Sequence, residues 1–373
     1  MDALLLCCAA VALALASHGS AQVWPGYEPT AEATHRRHDR AADDWLGSSV
    51  SDDSVDTLHL AAQGIQRVPR AAFRNTPNVH NIYLSNNSIS EVDVGAFEGV
   101  PWLVGLYLDN NDISSLPEGV FSPVPELEYL DLSGNRLSEL SPSHFAGLTK
   151  LWGFRLTTNK VQLRLHIRTF ANLPKLWDVD LSNSNIRTLP RDVFTDANKL
   201  EYIYLYDNKM EELDNSTFNG LPKLLELYLS GNRLRTLQPA VFDQLPSLST
   251  LDLSDNRIIY LSEENMHFRW SPKVNLTNNR IKYFDPHVYN NNERVPTFIL
   301  DNNPYHCCSS LLSFTQKYSN KDIKLPKLEI DNATCDAPAH LRATPLSQLT
   351  GDSLRDCTTT PTDTLVDFIT TLQ

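Results

Sequence analysis

Leu-x-Leu pairs set the rhythm of this chain. In Leu106-Tyr-Leu108-Asp-Asn-Asn111-Asp-Ile113 apolar and polar positions alternate, and the frame returns as Leu130-Asp-Leu132-Ser-Gly-Asn135-Arg-Leu137 and Leu227-Tyr-Leu229-Ser-Gly-Asn232-Arg-Leu234. That alternation is the period of a half-buried strand. A strand three or four residues long cannot bury its apolar face alone, so the pattern predicts stacked coils sharing one continuous core. The polar residue closing each frame falls at Gln63, Asn87, Asn111, Asn135, Asn159, Ser184, Asn208, Asn232, Asn256, Asn279 and Asn303, at spacings of 23 to 25 residues. Ten residues beyond it stand Phe73, Phe97, Phe121, Phe145, Phe194, Phe218 and Phe242, with Phe170 at eleven. A period this regular marks a repeat architecture.

The recurring Asn ends the strand and turns the chain. Its amide donates and accepts, so it is expected to satisfy buried backbone groups at the turn and across to the next coil. Pro69, Pro117 and Pro190, then Pro77, Pro101, Pro125, Pro174, Pro222 and Pro246, recur at two phases. They predict extended or turn backbone on the convex side and no long helices. The Phe column predicts an aromatic spine beneath that side. Two units depart from the frame: Ser184 replaces the anchor in a 25-residue unit, and the unit around Asn279 is 23 long and lacks the Phe. Local distortions are expected at both.

These residues resemble the leucine-rich repeat family, in its 24-residue extracellular class, over residues 55–305, read as eleven repeats. The resemblance implies an α/β-type solenoid shaped as a horseshoe. Short parallel β-strands line its concave face, with loops, turns and short helical turns on the convex face.

The ends read differently. Leu4 to Ala16 is an apolar run followed by Ser17-His18-Gly19-Ser20-Ala21, the length and small-residue ending of a secretory signal peptide over residues 1–21, although Asp2 is the one charged side chain before the run. Residues 22–54 form a polar arm without cysteine, with Trp24, Tyr27 and Trp45 as possible anchors. Arg37-His-Asp-Arg40 fits a basic processing site that would release residues 22–40, and an uncleaved arm is the plainer alternative. Cys7 and Cys8 leave with the signal, and Cys307, Cys308, Cys335 and Cys357 read as two disulfides of a secreted chain. Together with Asn303-Pro304-Tyr305-His306 they resemble the family's cysteine-rich C-terminal cap, placed here at 306–357. That resemblance implies Cys307 paired with Cys335 and Cys308 with Cys357, although the family usually separates its first two cysteines by one residue. Zinc held by His306, Cys307, Cys308 and Cys335 is the rival, disfavoured in an oxidising compartment. Glycosylation sequons at Asn86, Asn215, Asn275 and Asn332 fit secretion. The Thr-rich tail, 358–373, carries too few apolar residues for a lipid-anchor signal.

Composition narrows the function. With 41% hydrophobic and 21% charged residues among 373, the chain is of ordinary globular type, and its net charge of −13 disfavours nucleic acid or an anionic membrane as partner. No internal run reaches the roughly 18 apolar residues of a membrane span, so no membrane insertion is expected. Gly-x-Ser-x-Gly, His-Glu-x-x-His, Walker and Rossmann motifs are all missing, so neither enzymatic activity nor a cofactor is expected. His59 and His80 can approach each other, but two ligands make no metal site.

Strand phase assigns the concave positions, because alternate side chains face opposite ways. One column reads Tyr83, Tyr107, Asp131, Arg155, Asp180, Tyr204 and Tyr228; the column before it holds Tyr129, Asp178 and Tyr202; Trp152, Trp177 and Tyr206 flank them. This aromatic and acidic band is the candidate surface for another protein, since Tyr and Trp are enriched at interface hot spots. The plain alternative is a cross-strand ladder that only stabilises neighbouring coils. A glycan at Asn275 would confine binding to the band. The expectation is thus a secreted, non-enzymatic protein-binding module. The runner-up is a non-catalytic stabilising subunit of a secreted enzyme, a role the family resemblance includes in carboxypeptidase N and shrimp luciferase.

Overall fold

The computed structural model describes residues 55–262, 264–266, 268, 272–284, 288, 296–307, 328–329 and 332–349. All belong to one compact unit, Asp44–Gln373; a second, Met1–Asp43, lies outside them, as do the signal segment, the arm, Cys308, Cys357 and the tail.

Each Leu-x-Leu frame folds as a strand of three residues. In chain order these are β1 (Thr57–His59), β2 (Asn81–Tyr83), β3 (Gly105–Tyr107), β4 (Tyr129–Asp131), β5 (Gly153–Arg155), β6 (Asp178–Asp180), β7 (Tyr202–Tyr204), β8 (Glu226–Tyr228), β9 (Thr250–Asp252), β10 (Lys273–Asn275), β11 (Thr297–Ile299) and β12 (Leu328–Glu329). They form one parallel sheet in sequence order, in register from coil to coil, as in Ile203 opposite Leu227. From β1 to β11 the central residue of each strand is buried in the core. Its two neighbours therefore point to the concave face.

The Asn column makes the sheet continuous. The Asn111 Nδ2 donates to Leu84 O at 3.0 Å in the coil before and to Leu108 O at 2.9 Å in its own, while its Oδ1 accepts the Ile89 N–H at 2.9 Å. The residue before each anchor takes a left-handed backbone: φ is 57° at Asn86, 55° at Asn110, 68° at Gly134 and 54° at Asp207. Asn, Asp and Gly tolerate that region best and precede most of the anchors, while Ala62 and Thr158 adopt it at φ 56° and 54°.

The expected distortion at Ser184 is present. Its hydroxyl donates to Leu156 O at 2.6 Å, and the Asn159 amide turns instead to Leu137 O and Val161 O. Asn185, also left-handed at φ 55°, adds a bond from its Nδ2 to Asn159 O at 2.9 Å.

Opposite the sheet the Phe column stacks under turns. Phe73–Phe97 and Phe97–Phe121 centroids lie 5.9 and 5.8 Å apart, and Phe170, Phe194, Phe218 and Phe242 follow at 5.5, 6.3 and 6.4 Å. Phe268, twelve residues past Asn256 rather than ten, continues the row 6.4 Å from Phe242. In the unit around Asn279, Val288 is buried. The convex side carries two-residue ribbons, such as Arg67–Val68 with Glu91–Val92, and a 3₁₀ turn at Pro142–Phe145. In that turn the buried His144 accepts the Ser141 N–H on Nδ1, and its Nε2 lies 3.2 Å from Leu116 O. After β11, Tyr305–His306 pairs with Cys335–Ala337, Cys307 and Cys335 form a disulfide, and Leu341, Leu346 and Leu349 join the core. No helix among the described residues is long and apolar enough to cross a membrane.

Candidate functional site

A single aromatic row crosses the concave face. His59 stacks on Tyr83 at 5.1 Å and Tyr83 on Tyr107 at 4.4 Å. The row continues through Tyr129, Trp152, Trp177 and Tyr202 with centroid spacings of 5.4, 5.8, 6.2 and 4.8 Å. It changes column at Tyr129 because Gly153 makes room: a Cβ there would stand 2.8 Å from the Tyr129 ring. A second group holds Tyr204 stacked on Tyr228 at 5.1 Å, with Tyr206 edge-on to Tyr204 at 6.5 Å. The tyrosines and Trp177 are half-buried and Trp152 is exposed. Cross-strand laddering is therefore present, and the outer edges of the same rings remain in solvent.

Charged groups interrupt the rings at the middle of the sheet. Register places Arg155 on β5 between Asp131 on β4 and Asp180 on β6, with Asp178 between Gly153 and Tyr202. The sequence assigns both Asp178 and Asp180 to an exposed band. The structure leaves them only 3% and 8% exposed. Concave curvature crowds neighbouring strands together, and large side chains on β4 and β7 cover the shorter aspartates. The Asp180 Oδ1 accepts the Ser182 N–H at 3.0 Å and its hydroxyl at 2.6 Å. The Asp131 Oδ1 accepts the Ser133 N–H at 2.9 Å. The Asp178 Oδ2 is buried and has no hydrogen-bond partner.

Burial dominates the electrostatics. It pushes the Asp178 carboxyl up to about 7, helped by the Asp180 charge and opposed by Arg155. Burial likewise raises Asp131 to about 6, against the Ser133 hydrogen bond, and raises Asp180 against Ser182. The Tyr129 and Tyr204 hydroxyls rise for the same reason, and the Asp178 charge adds to both. Glu226 extends the acidic group, accepting the Tyr228 hydroxyl at 2.6 Å. Glu226 shares the Asp178 column, a signal already present in the strand frame.

A folded-state pKa above the ordinary carboxylate value means that ionising Asp178 opposes folding. The cost is absent below about pH 4, where the carboxyl is protonated in both states, and is complete above about pH 7. Asp178→Asn is therefore expected to add up to about a few kcal/mol to the free energy of unfolding at pH 8, raising the melting temperature there, and to change it little at pH 4. Melting curves across that range check this; equal shifts at both pH values would refute it.

Asn86, Asn215 and Asn332 are exposed, while Asn275 is half-buried on β10 with its Oδ1 accepting the Thr277 N–H at 3.1 Å. His59 is engaged by Tyr83, and His80 pairs with Asp56 at 3.1 Å. Among the described residues no cluster of three or more His, Cys, Asp or Glu is placed to hold a metal. On the convex side, a groove lined by Arg70, Asp93 and Pro117 is bordered by ion pairs of its own, Arg67 with Asp93 and Arg70 with Glu98.

Several solved structures share this architecture. A chain of the mouse RP105/MD-1 complex is 22% identical with a TM-score of 0.64; the match covers 78% of this chain, which spans about half, 49%, of that one. A chain of the octameric complex of Latrophilin 3, Unc5D and FLRT2 (LRR) matches at 18% identity and a TM-score of 0.59, covering 82% and 98% of the two chains. A chain of the LRIM1/APL1C complex matches at 22% and 0.56, covering 71% and 46%. At these identities the likeness is one of fold. No curated protein matches the chain. The leucine rich repeat model matches residues 53–113, 101–161, 154–210 and 199–258. With more than half of its length matched by that repeat and a sheet built from it coil by coil, the chain belongs to the leucine rich repeat family.

Proposed function

We propose that this chain is a secreted, non-enzymatic binding module that takes a partner protein on the concave face between Tyr83 and Tyr228. One observation carries the reading: rings from β2 to β8 form contiguous rows whose edges stay in solvent around buried carboxyls. Rigid Tyr and Trp side chains lose little conformational entropy on binding and are enriched at hot spots. Eleven strands spaced roughly 4.8 Å apart give an arc of about 50 Å, of which β2 to β8 take about 30 Å, room for an interface of about 800 Å² per partner. The carboxyls favour a basic partner. The apolar run before Ala21, the sequons and the Cys307–Cys335 disulfide support the extracellular assignment. A glycan on Asn275 would bound the site at β10.

The protein purified from its own secreted fluid, with every co-eluting chain identified, supplies the partner. The double change Tyr204→Ala and Tyr206→Ala is then expected to weaken that complex by roughly thirtyfold or more while leaving secretion intact. Unchanged affinity would remove the concave face from consideration. The Tyr and Trp content of the band also favours a permanent association, as in a stabilising subunit, while its carboxylates favour the free module. A second polypeptide at fixed ratio selects the subunit, and a lone glycosylated monomer selects the free module.

A further inference from the structure

The middle of the concave sheet specifies what the partner presents, granted that this face is the binding surface. Three carboxyls, of Asp131, Asp178 and Asp180, share one guanidinium, Arg155, in adjacent register positions of β4, β5 and β6. Ser133 and Ser182 satisfy one oxygen each of Asp131 and Asp180. Nothing satisfies the Asp178 Oδ2, although the side chain is almost wholly buried. The repeat does not demand a carboxyl at this position, since the same column holds Thr57, Asn81, Gly105, Tyr129 and Gly153 in earlier coils. A buried carboxylate with one oxygen left without a donor opposes folding, so Asp178 is a charge the fold carries at its own expense. Sites that weaken a fold in this way are characteristic of ligand contacts.

The surroundings define the complement. Aromatic rings lie on either side, Tyr129 over Gly153 and Tyr202 and Tyr204 on β7. Asp180 lies two residues further along the strand, about 6.5 Å away, on the same face. A planar cation with several N–H donors can stack on the rings and reach both carboxylates, which a compact ammonium cannot do. We propose that Asp178, with Asp180 beside it, receives an arginine side chain of the protein partner, which parts Tyr129 and the β7 tyrosines to reach the covered carboxyl.

The pairing is expected to loosen under acid. The groups facing Asp178 are Arg155 on β5, Asp180 on its own strand, and the hydroxyls of Tyr129 on β4 and of Tyr202 and Tyr204 on β7. The tyrosines stay neutral, so the carboxyls set the response, and affinity falls as pH drops through about 7, where Asp178 takes up its proton.

Saturation-transfer NMR on the full glycosylated protein tests this with acetyl-arginine methylamide as probe and its citrulline and lysine counterparts as controls. Transfer to the arginine side chain is expected, with binding weaker for lysine and lost for the neutral citrulline. Asp178→Asn, melting at or above the wild-type temperature, is expected to weaken arginine binding by roughly thirtyfold; Asp252→Asn on the same face is expected to leave it unchanged. Equal binding of citrulline, tighter binding of lysine, or undiminished arginine binding by Asp178→Asn overturns the assignment. The partner complex separates this from the broader reading. If Asp178→Asn keeps the partner while the Tyr204/Tyr206 double variant releases it, the arginine pairing is wrong and the concave surface stands. If both variants keep it, both are wrong. Release by both, with the probe bound as described, supports both.

Discussion

Asn135→Ala is expected to lower the free energy of unfolding by about 3–5 kcal/mol, counting the backbone groups it strands at about 1–3 kcal/mol each without full additivity. The side chain is fully buried. Its Nδ2 donates to Leu108 O at 3.0 Å and Leu132 O at 2.8 Å, and its Oδ1 accepts the Ile113 N–H at 3.0 Å. Alanine can replace none of these bonds, and water has no route to a site enclosed by two coils. Because a solenoid coil contacts only its neighbours, the loss concentrates at one junction. Denaturant melts should therefore show a lower midpoint, and amide exchange should quicken first at Ile113, whose N–H loses its acceptor. A change below 1 kcal/mol would mean that the amide column does not join the coils.

Phe194→Ala is expected to cost a similar amount, about 3–5 kcal/mol, by a different route. The ring is fully buried between Phe170 at 5.5 Å and Phe218 at 6.3 Å, nearly parallel to both. Truncation removes its burial, opens a cavity and breaks two ring contacts worth about 0.5–1.5 kcal/mol each. Phe194→Leu keeps most of the volume and should cost about 1–1.5 kcal/mol. Equal losses for Ala and Leu would assign the effect to stacking rather than to filled space.

The frame of the fold is legible in the sequence because each of its parts is local. A Leu-x-Leu pair, an amide that donates and accepts, and a Phe ten residues on each carry a short-range physical reason. Phe268 falls outside the ten- or eleven-residue spacing because the chain reaches the same place with twelve residues. The left-handed backbone before each anchor is not legible from residue type alone, because Ala62 and Thr158 adopt it as Asn86 and Gly134 do. The concave face was legible in composition but not in depth. Strand phase places Asp178 and Tyr204 on one surface equally, and no local rule says that the larger side chains of β4 and β7 stand over the shorter carboxyl. Likewise the column change from Tyr107 through Tyr129 to Trp152 depends on the missing Cβ of Gly153, a relation between strands 24 residues apart.

The Phe spine also sets the radius of the arc. Parallel strands on the inner face sit about 4.8 Å apart. The stacked rings behind them repeat at 5.5 to 6.4 Å. Each coil is thus a wedge, wider at its back, and the wedges together bend the stack toward the sheet. Ring thickness on the far side consequently fixes how closely the tyrosine edges converge in front. A partner that fits the inner face is reading a curvature written by residues it never touches.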